Sequence, residues 1–288
     1  MYSLFGKDIR SYLNEIYRLV KDIVLDLFNY RDLYCVVIFG SAARYEDFVP
    51  GISDIDVLVI TKQPPHIRFH EFSEFDIRIH VTSYTLNEFK DIVKMGHPLA
   101  FMLKYRVELY GSVSSLLSDL KITEYTRHVL RRSIFAALGL ALEYYYSFKE
   151  YVRALSHLYH SLRHLIRYKA SFKGIIPISD KEVYNSCDSE ELKILYRNLV
   201  RARRMGVDSI ELKRFIYEVI KAITLEFKLK PPDLNRLKEL LQYEIATIVA
   251  GEDNGYLILR VRVLSKNGEK IFEVRGNDIR EVDSLFLP

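Results

Sequence analysis

Phe39-Gly40-Ser41-Ala42-Ala43-Arg44 and, eight residues later, Ser53-Asp54-Ile55-Asp56-Val57-Leu58-Val59 decide how this sequence is read. Side chains alternate across a strand, so Asp54 and Asp56 share one face while Ile55, Val57 and Val59 take the other. Two carboxylates side by side repel unless a cation lies between them. Hard oxygen donors of this kind suit Mg²⁺, which takes one or two carboxylates plus phosphate oxygens. The run Leu33–Phe39 is apolar and largely β-branched and is stopped by Gly40, which predicts a central strand buried on both faces. Gly40 lets the backbone approach a ligand closely. A helix start is expected after Gly40-Ser41, and its free amides with the Ser41 hydroxyl would hold a phosphate.

A further strand is expected from about Glu74 to Val81, where Phe75, Ile77, Ile79 and Val81 alternate with Glu74, Asp76, Arg78 and His80. Asp76 then supplies a third carboxylate. Three acids can hold two metal ions about 3.5–4 Å apart, one activating a hydroxyl and one neutralising a triphosphate leaving group. Those residue types suit nucleotidyl transfer.

Around this core the pattern is mixed. Residues 8–29 form an amphipathic helix on the stripe Ile9, Leu13, Ile16, Val20, Ile23, Val24 and Leu27. Thr85 with Glu88 makes a capping box, and Gly96 ends the helix it opens. Pro98–Tyr105 reads as a short helix and Val107–Tyr110 as a short strand. From Thr123 to about Ala250 the period is helical, broken at Lys173–Pro177, Gly206 and Pro231-Pro232, which predicts five or six helices. Leu257–Val263 and Ile271–Val274 flank Lys266-Asn267-Gly268-Glu269, a hairpin signal. The expected organisation is an α+β domain at 1–120 with a small mixed sheet, an all-α bundle at 121–250, and a β-hairpin tail at 251–288 packed on the bundle.

Gly40-Ser41, twelve residues, and Asp54-x-Asp56 among apolar residues resemble the signature of the DNA polymerase β-like nucleotidyltransferase superfamily. Phe75-Asp76-Ile77 fits its third acidic position. Gly96-His97-Pro98-Leu99-Ala100 through Gly111 resembles the closing segment of its minimal members. The resemblance spans about residues 30–110. It implies a Mg²⁺-dependent enzyme moving NMP from an NTP, with ATP the expected donor, to a hydroxyl of an RNA, protein or small molecule. It implies that Asp54, Asp56 and Asp76 hold two Mg²⁺ ions and that Gly40 and Ser41 hold the β- and γ-phosphates. Arg44 is a further nucleotide contact, although Tyr45 stands where many minimal members have Gly.

The bundle, about 122–230, resembles the HEPN type on Tyr151-Val152-Arg153-Ala154, Tyr159-His160 and Gly174-Ile175-Ile176-Pro177. In active members of that type, Arg and His are separated by four to six intervening residues. Arg153 and His160 fit that spacing, but Arg197-Asn198 on the later helix has no following His. That leaves two alternatives beside the transferase: a non-catalytic nucleotide- or RNA-binding regulator, and a toxin–antitoxin-like fusion with a ribonuclease bundle. The resemblance also carries a mild expectation of a homodimer.

Charge is uneven. The net is −3 over residues 1–120, +9 over 121–240 and −2 over 241–288. A basic middle suggests a phosphorylated partner, RNA or nucleotide, with Arg197, Arg201, Arg203 and Arg204 as candidate phosphate contacts. A solvated basic helix face accounts for the same charge. The Tyr144-Tyr145-Tyr146 run offers stacking surfaces or packing. No apolar run reaches 18 residues and no signal-peptide core opens the chain, so no membrane partner is expected. Cys35 and Cys187 make no disulfide framework, which with the missing signal predicts a cytoplasmic protein. The absence of Trp, two Gln and many Tyr, Lys, Arg and Glu point to a thermophile.

Overall fold

The computed structural model describes residues 9–74, 77–266 and 268–287. Asp76 and Asn267 lie outside that set. The chain forms two compact units, Met1–Arg127 with Ile176–Glu182, and His128–Ile175 with Val183–Pro288.

In the first unit, α1 (Ile9–Leu27) precedes β1 (Leu33–Phe39), β2 (Ile55–Thr61), β3 (Phe69–Glu74), β4 (Ile77–Thr85), α2 (Leu86–Met95), α3 (Pro98–Met102) and β5 (Val107–Tyr110). The described strands form one sheet in the order β3-β4-β2-β1-β5. The β2–β4 pair is parallel and the other pairs are antiparallel. The apolar run of β1 is explained by cover on both faces. Val36 and Ile38 join Ile55, Val57 and Val59 under Leu13, Ile16, Val20 and Val24 of α1. Cys35, Val37 and Phe39 join Leu58 and Ile60 under Phe89 and Val93 of α2 and Ala100 of α3. Each such side chain taken from water contributes roughly 1.5–3 kcal/mol, so the sheet is the fixed reference for whatever its rim carries. The capping box closes as expected: the Thr85 hydroxyl accepts from the Glu88 amide at 3.2 Å, and Glu88 accepts from the Thr85 amide at 2.7 Å.

The strand expected at 74–81 is corrected. It begins at Ile77, runs to Thr85 and pairs back on β3, an element the sequence pattern does not announce. β3 is an edge strand with Phe69 exposed, so no buried alternation marks it.

The second unit contains most of α4 (Glu124–Glu143), then a π-helical turn (Tyr144–Phe148), α5 (Tyr151–Ser171), the end of α6 (Asp180–Ser186), α7 (Glu190–Met205), α8 (Ser209–Phe227) and α9 (Asn235–Glu239). The expected breaks fall between these helices. The chain closes with β6 (Glu244–Asp253), β7 (Tyr256–Ser265), β8 (Gly268–Arg275) and β9 (Asp278–Val282), an antiparallel meander in which the expected hairpin is the β7–β8 pair. Helices and sheet share one core, with Leu138, Leu158, Leu162 and Phe215 against Leu257, Leu259 and Val261. α4 lies directly on β6: a Cβ on Gly139 would come within 2.8 Å of the Ile248 carbonyl. Glu143 accepts from the Ile248 amide at 2.9 Å.

This sheet contains one fully buried acid. Glu273 has a side chain 0% exposed and meets Arg260 at 3.1 Å, Arg275 at 3.1 Å and Arg280 at 2.7 Å. Burial pushes its carboxyl up, but the three guanidiniums outweigh burial and hold it below its ordinary value of 4.5. A depressed folded-state value gives stability present above the unfolded value and lost as pH falls. Glu273→Gln is therefore expected to cost about 2 kcal/mol at pH 7. In urea melts, the gap to the wild type should narrow below about pH 4.5. A gap that stays constant with pH would contradict the charge argument.

Candidate active site

The site is built at one end of β1 and β2. Phe39 stands opposite Asp56 in the antiparallel register, so Gly40 emerges beside the Asp56 carboxylate. A Cβ on Gly40 would sit 2.5 Å from Asp56 Oδ2, and its φ is +73°. Both facts select glycine.

The expected helix after Ser41 is absent. Residues 40–47 make successive tight turns, with Arg44 N donating to the Ser41 carbonyl at 2.9 Å and Asp47 N to the Arg44 carbonyl at 2.8 Å. Val49 N then donates to the Ser53 hydroxyl at 2.9 Å, which leads the chain into β2. Within these turns Arg44 is buried, and its Nε donates to Asp47 Oδ2 at 2.6 Å. Asp47 also accepts from the Asp180 amide at 3.2 Å. The same short return segment places Glu182 within reach of Lys104 at 2.6 Å and Tyr105 at 2.8 Å. These donors and two backbone amides outweigh burial and hold Glu182 down to about 2. Arg44 is thus buried and held by Asp47.

Asp54 and Asp56 are both half-exposed on the rim, Asp54 just before β2 begins and Asp56 within it. The parallel pairing of β2 with β4 sets His80 opposite Asp56. Arg78 Nε meets Asp54 Oδ1 at 2.9 Å. His80 Nδ1 is 3.8 Å from Asp56 Oδ1, an ion-pair distance too long for a direct hydrogen bond. His80 Nε2 is 3.3 Å from Glu71 Oε2, Glu71 being the partner of His80 across β3–β4. Burial raises the Asp54 carboxyl, and the neighbouring Asp56 charge adds to this against Arg78 and His80. Asp56, with Asp54 and Glu71, outweighs burial and holds the His80 imidazole above its ordinary value.

Arg78 and His80 stand on the polar face of the alternation, yet sequence reasoning gave them no role. Nothing local in the sequence says that β4 lies beside β2.

A metal fits this donor set in part. Two half-exposed carboxylates, one of them packed against the bare Gly40 backbone, suffice for Mg²⁺ with waters and phosphate oxygens. Among the described residues no third His, Cys, Asp or Glu joins them in a ligating group.

Residues 17–110 match the nucleotidyltransferase domain family. The matched stretch runs from within α1 to the end of β5 and includes the acid pair and the Gly-Ser turn. Residues 17–110 are thus similar to a nucleotidyltransferase domain. No curated protein matches the chain in sequence. Among solved structures, it is similar to a nucleotidyltransferase-like protein from Exiguobacterium sibiricum 255-15, 14% identical over 85% of this chain and 98% of that one, TM-score 0.31. It is also similar to spectinomycin adenyltransferase AAD(9) from Enterococcus faecialis, crystallised with ATP and spectinomycin, 15% identical over 70% of this chain and 98% of that one, TM-score 0.45.

The remaining candidates belong to the helical unit. On α7, Arg197, Arg201 and Arg204 are exposed, while Arg203 is buried with its guanidinium 4.2 Å from the Tyr159 ring centroid. Arg153 is exposed and pairs with Glu150 at 3.0 Å. His160 lies seven residues on, about 10 Å along the helix axis. Its imidazole is driven well below its ordinary value by burial and then by Arg203. No helix among the described residues is long and apolar enough to cross a membrane.

Proposed function

We propose that the nucleotidyltransferase domain moves NMP from an NTP, with ATP the expected donor, to an acceptor hydroxyl, with Mg²⁺ held by Asp54 and Asp56. The observation that carries this reading is the Gly40–Asp56 approach. With no side chain on Gly40, the Asp56 carboxylate packs directly against the Gly-Ser turn, which sets a cation-binding acid beside backbone that a phosphate can approach closely. When bound, Mg²⁺ supplies charge neutralisation on the triphosphate and polarises the reacting oxygens.

The protein's own residues supply position. The Gly40 and Ser41 turn holds the β- and γ-phosphates. Asp54 and Asp56 fix where the α-phosphorus comes to rest. The acceptor oxygen forms a bond to the α-phosphorus, the bond to the bridging oxygen breaks, and pyrophosphate leaves. The acceptor proton passes to a carboxylate, for which Asp76 is the residue that the superfamily resemblance offers. Arg78 and His80 act as positioning residues, aiming Asp54 and Asp56 from β4. RNA, a protein side chain and a small molecule are the acceptor classes to separate.

The test incubates the purified chain with each α-labelled NTP and Mg²⁺, alone and with total RNA and lysate. Label is followed into RNA, protein and small-molecule fractions, with Asp54→Ala as control. Label in one fraction that the control lacks is the expected result and names the acceptor class. NTP binding without label in any fraction would favour the non-catalytic regulator.

A further inference from the structure

The helical unit holds a pocket of about 270 Å³ whose lining includes Tyr145, Tyr146, Tyr151, Lys149, Lys213 and Lys238 and no carboxylate. It forms where α4 gives way to the π-helical turn, a distortion that costs backbone regularity and recurs at functional positions. Lys149 ends that turn in the left-handed region at φ 57°. Tyr145 and Tyr146 meet edge to face at 4.9 Å, Tyr145 and Tyr151 lie 5.6 Å apart, and the Tyr145 hydroxyl donates to the Ser209 carbonyl at 3.2 Å. The aromatic walls are thereby fixed before any ligand arrives.

The charges are arranged differently here from their surroundings. Arg153 pairs with Glu150 at 3.0 Å, Arg214 with Glu211 at 3.4 Å and Arg236 with Glu239 at 2.5 Å. Each of these arginines lies within four residues of one of the three lysines in sequence, Arg214 sharing α8 with Lys213 and Arg236 sharing α9 with Lys238. Among the described residues, none of the three lysines makes an ion pair. Lys149 donates one proton to the Tyr146 carbonyl at 2.5 Å, which leaves two donors. Lys213 lies 5.8 Å from the Tyr217 ring centroid. Three uncompensated ammonium groups on one aromatic-walled pocket call for a ligand with both negative charge and a ring.

We propose that this pocket binds a nucleoside monophosphate unit, with its phosphate on Lys149, Lys213 and Lys238 and its base against Tyr145 and Tyr151. Aromatic stacking and lysine–phosphate attraction are the two terms by which proteins hold such a unit. The unit belongs to a free nucleotide or to single-stranded RNA. The site lies wholly in the helical unit and does not depend on the acid pair.

The test uses the full chain in EDTA and measures binding of AMP, ribose 5-phosphate and a labelled oligo(A) 12-mer. The double variant K213E/K238E changes partly or fully exposed side chains, so it should fold. AMP is expected to bind more tightly than ribose 5-phosphate, and the double variant to weaken AMP at least about tenfold, or about 1.4 kcal/mol. RNA binding that alone is lysine-dependent, with a salt slope reduced by about 1.4, assigns the unit to single-stranded RNA. Lysine-dependent AMP binding that the 12-mer does not exceed assigns it to free nucleotide. Binding of every probe unchanged in the double variant, or ribose 5-phosphate bound as tightly as AMP, would overturn the proposal.

Discussion

An Asp56→Ala chain is expected to fold like the wild type and to transfer NMP at least about a thousandfold more slowly, a loss of about 4 kcal/mol of transition-state stabilisation. The two halves of that expectation have separate grounds. Stability should hardly change because the Asp56 side chain is about a third exposed and its partner His80 keeps Glu71 at 3.3 Å. Exposed ion pairs of this kind contribute about 0–1 kcal/mol. Activity should collapse because Asp56 is the carboxylate pressed against Gly40, where the polyphosphate and its cation would meet. The check is a single-turnover rate with α-labelled NTP at saturating Mg²⁺, beside a thermal melt. A variant within tenfold of wild-type rate, at unchanged melting temperature, would remove Asp56 from the chemistry. Arg78→Ala serves as a comparison: Asp54 loses its 2.9 Å partner but keeps its charge, so a smaller loss is expected, centred on KM.

The features legible in the sequence are those that depend on neighbours along the chain. The buried run Leu33–Phe39, the Thr85–Glu88 box, the Asn-Gly hairpin signal and the Asp54-x-Asp56 alternation each declare themselves within a few residues. What was not legible depends on pairing between distant segments. Arg78 and His80 gain their significance from a parallel β2–β4 register, and edge strand β3 carries no buried stripe to reveal it. The return of Ile176–Glu182 to the first unit rests on Asp47, Lys104 and Tyr105, more than seventy residues away in sequence. In place of the helix expected after Ser41, residues 40–47 make successive tight turns. The Arg44–Asp47 pair, buried at both ends, closes a turn there.

Gly40→Ala is expected to lower transfer about a hundredfold while costing only about 1–2 kcal/mol of stability, and the disproportion is the point. Part of the cost is conformational, since φ +73° is unfavourable for an L-residue by roughly 1–2 kcal/mol. The rest is steric and falls on one group. The added methyl would stand 2.5 Å from Asp56 Oδ2 and 3.4 Å from Asp56 Cγ, so the carboxylate must turn away while the strand stays in place. A short, half-exposed side chain can turn cheaply, which keeps the fold, but it then leaves the position that the reaction needs. Displacement by about 1 Å is enough to cost a hundredfold where catalysis rests on positioning. The measurement is the rate per folded molecule together with Mn²⁺ affinity followed by electron paramagnetic resonance. Both should fall together in Gly40→Ala. If glycine served the turn alone, stability would fall while the rate per folded molecule and the Mn²⁺ affinity stayed at wild-type values. That outcome would detach Gly40 from the acid pair and with it the observation on which the transferase reading rests.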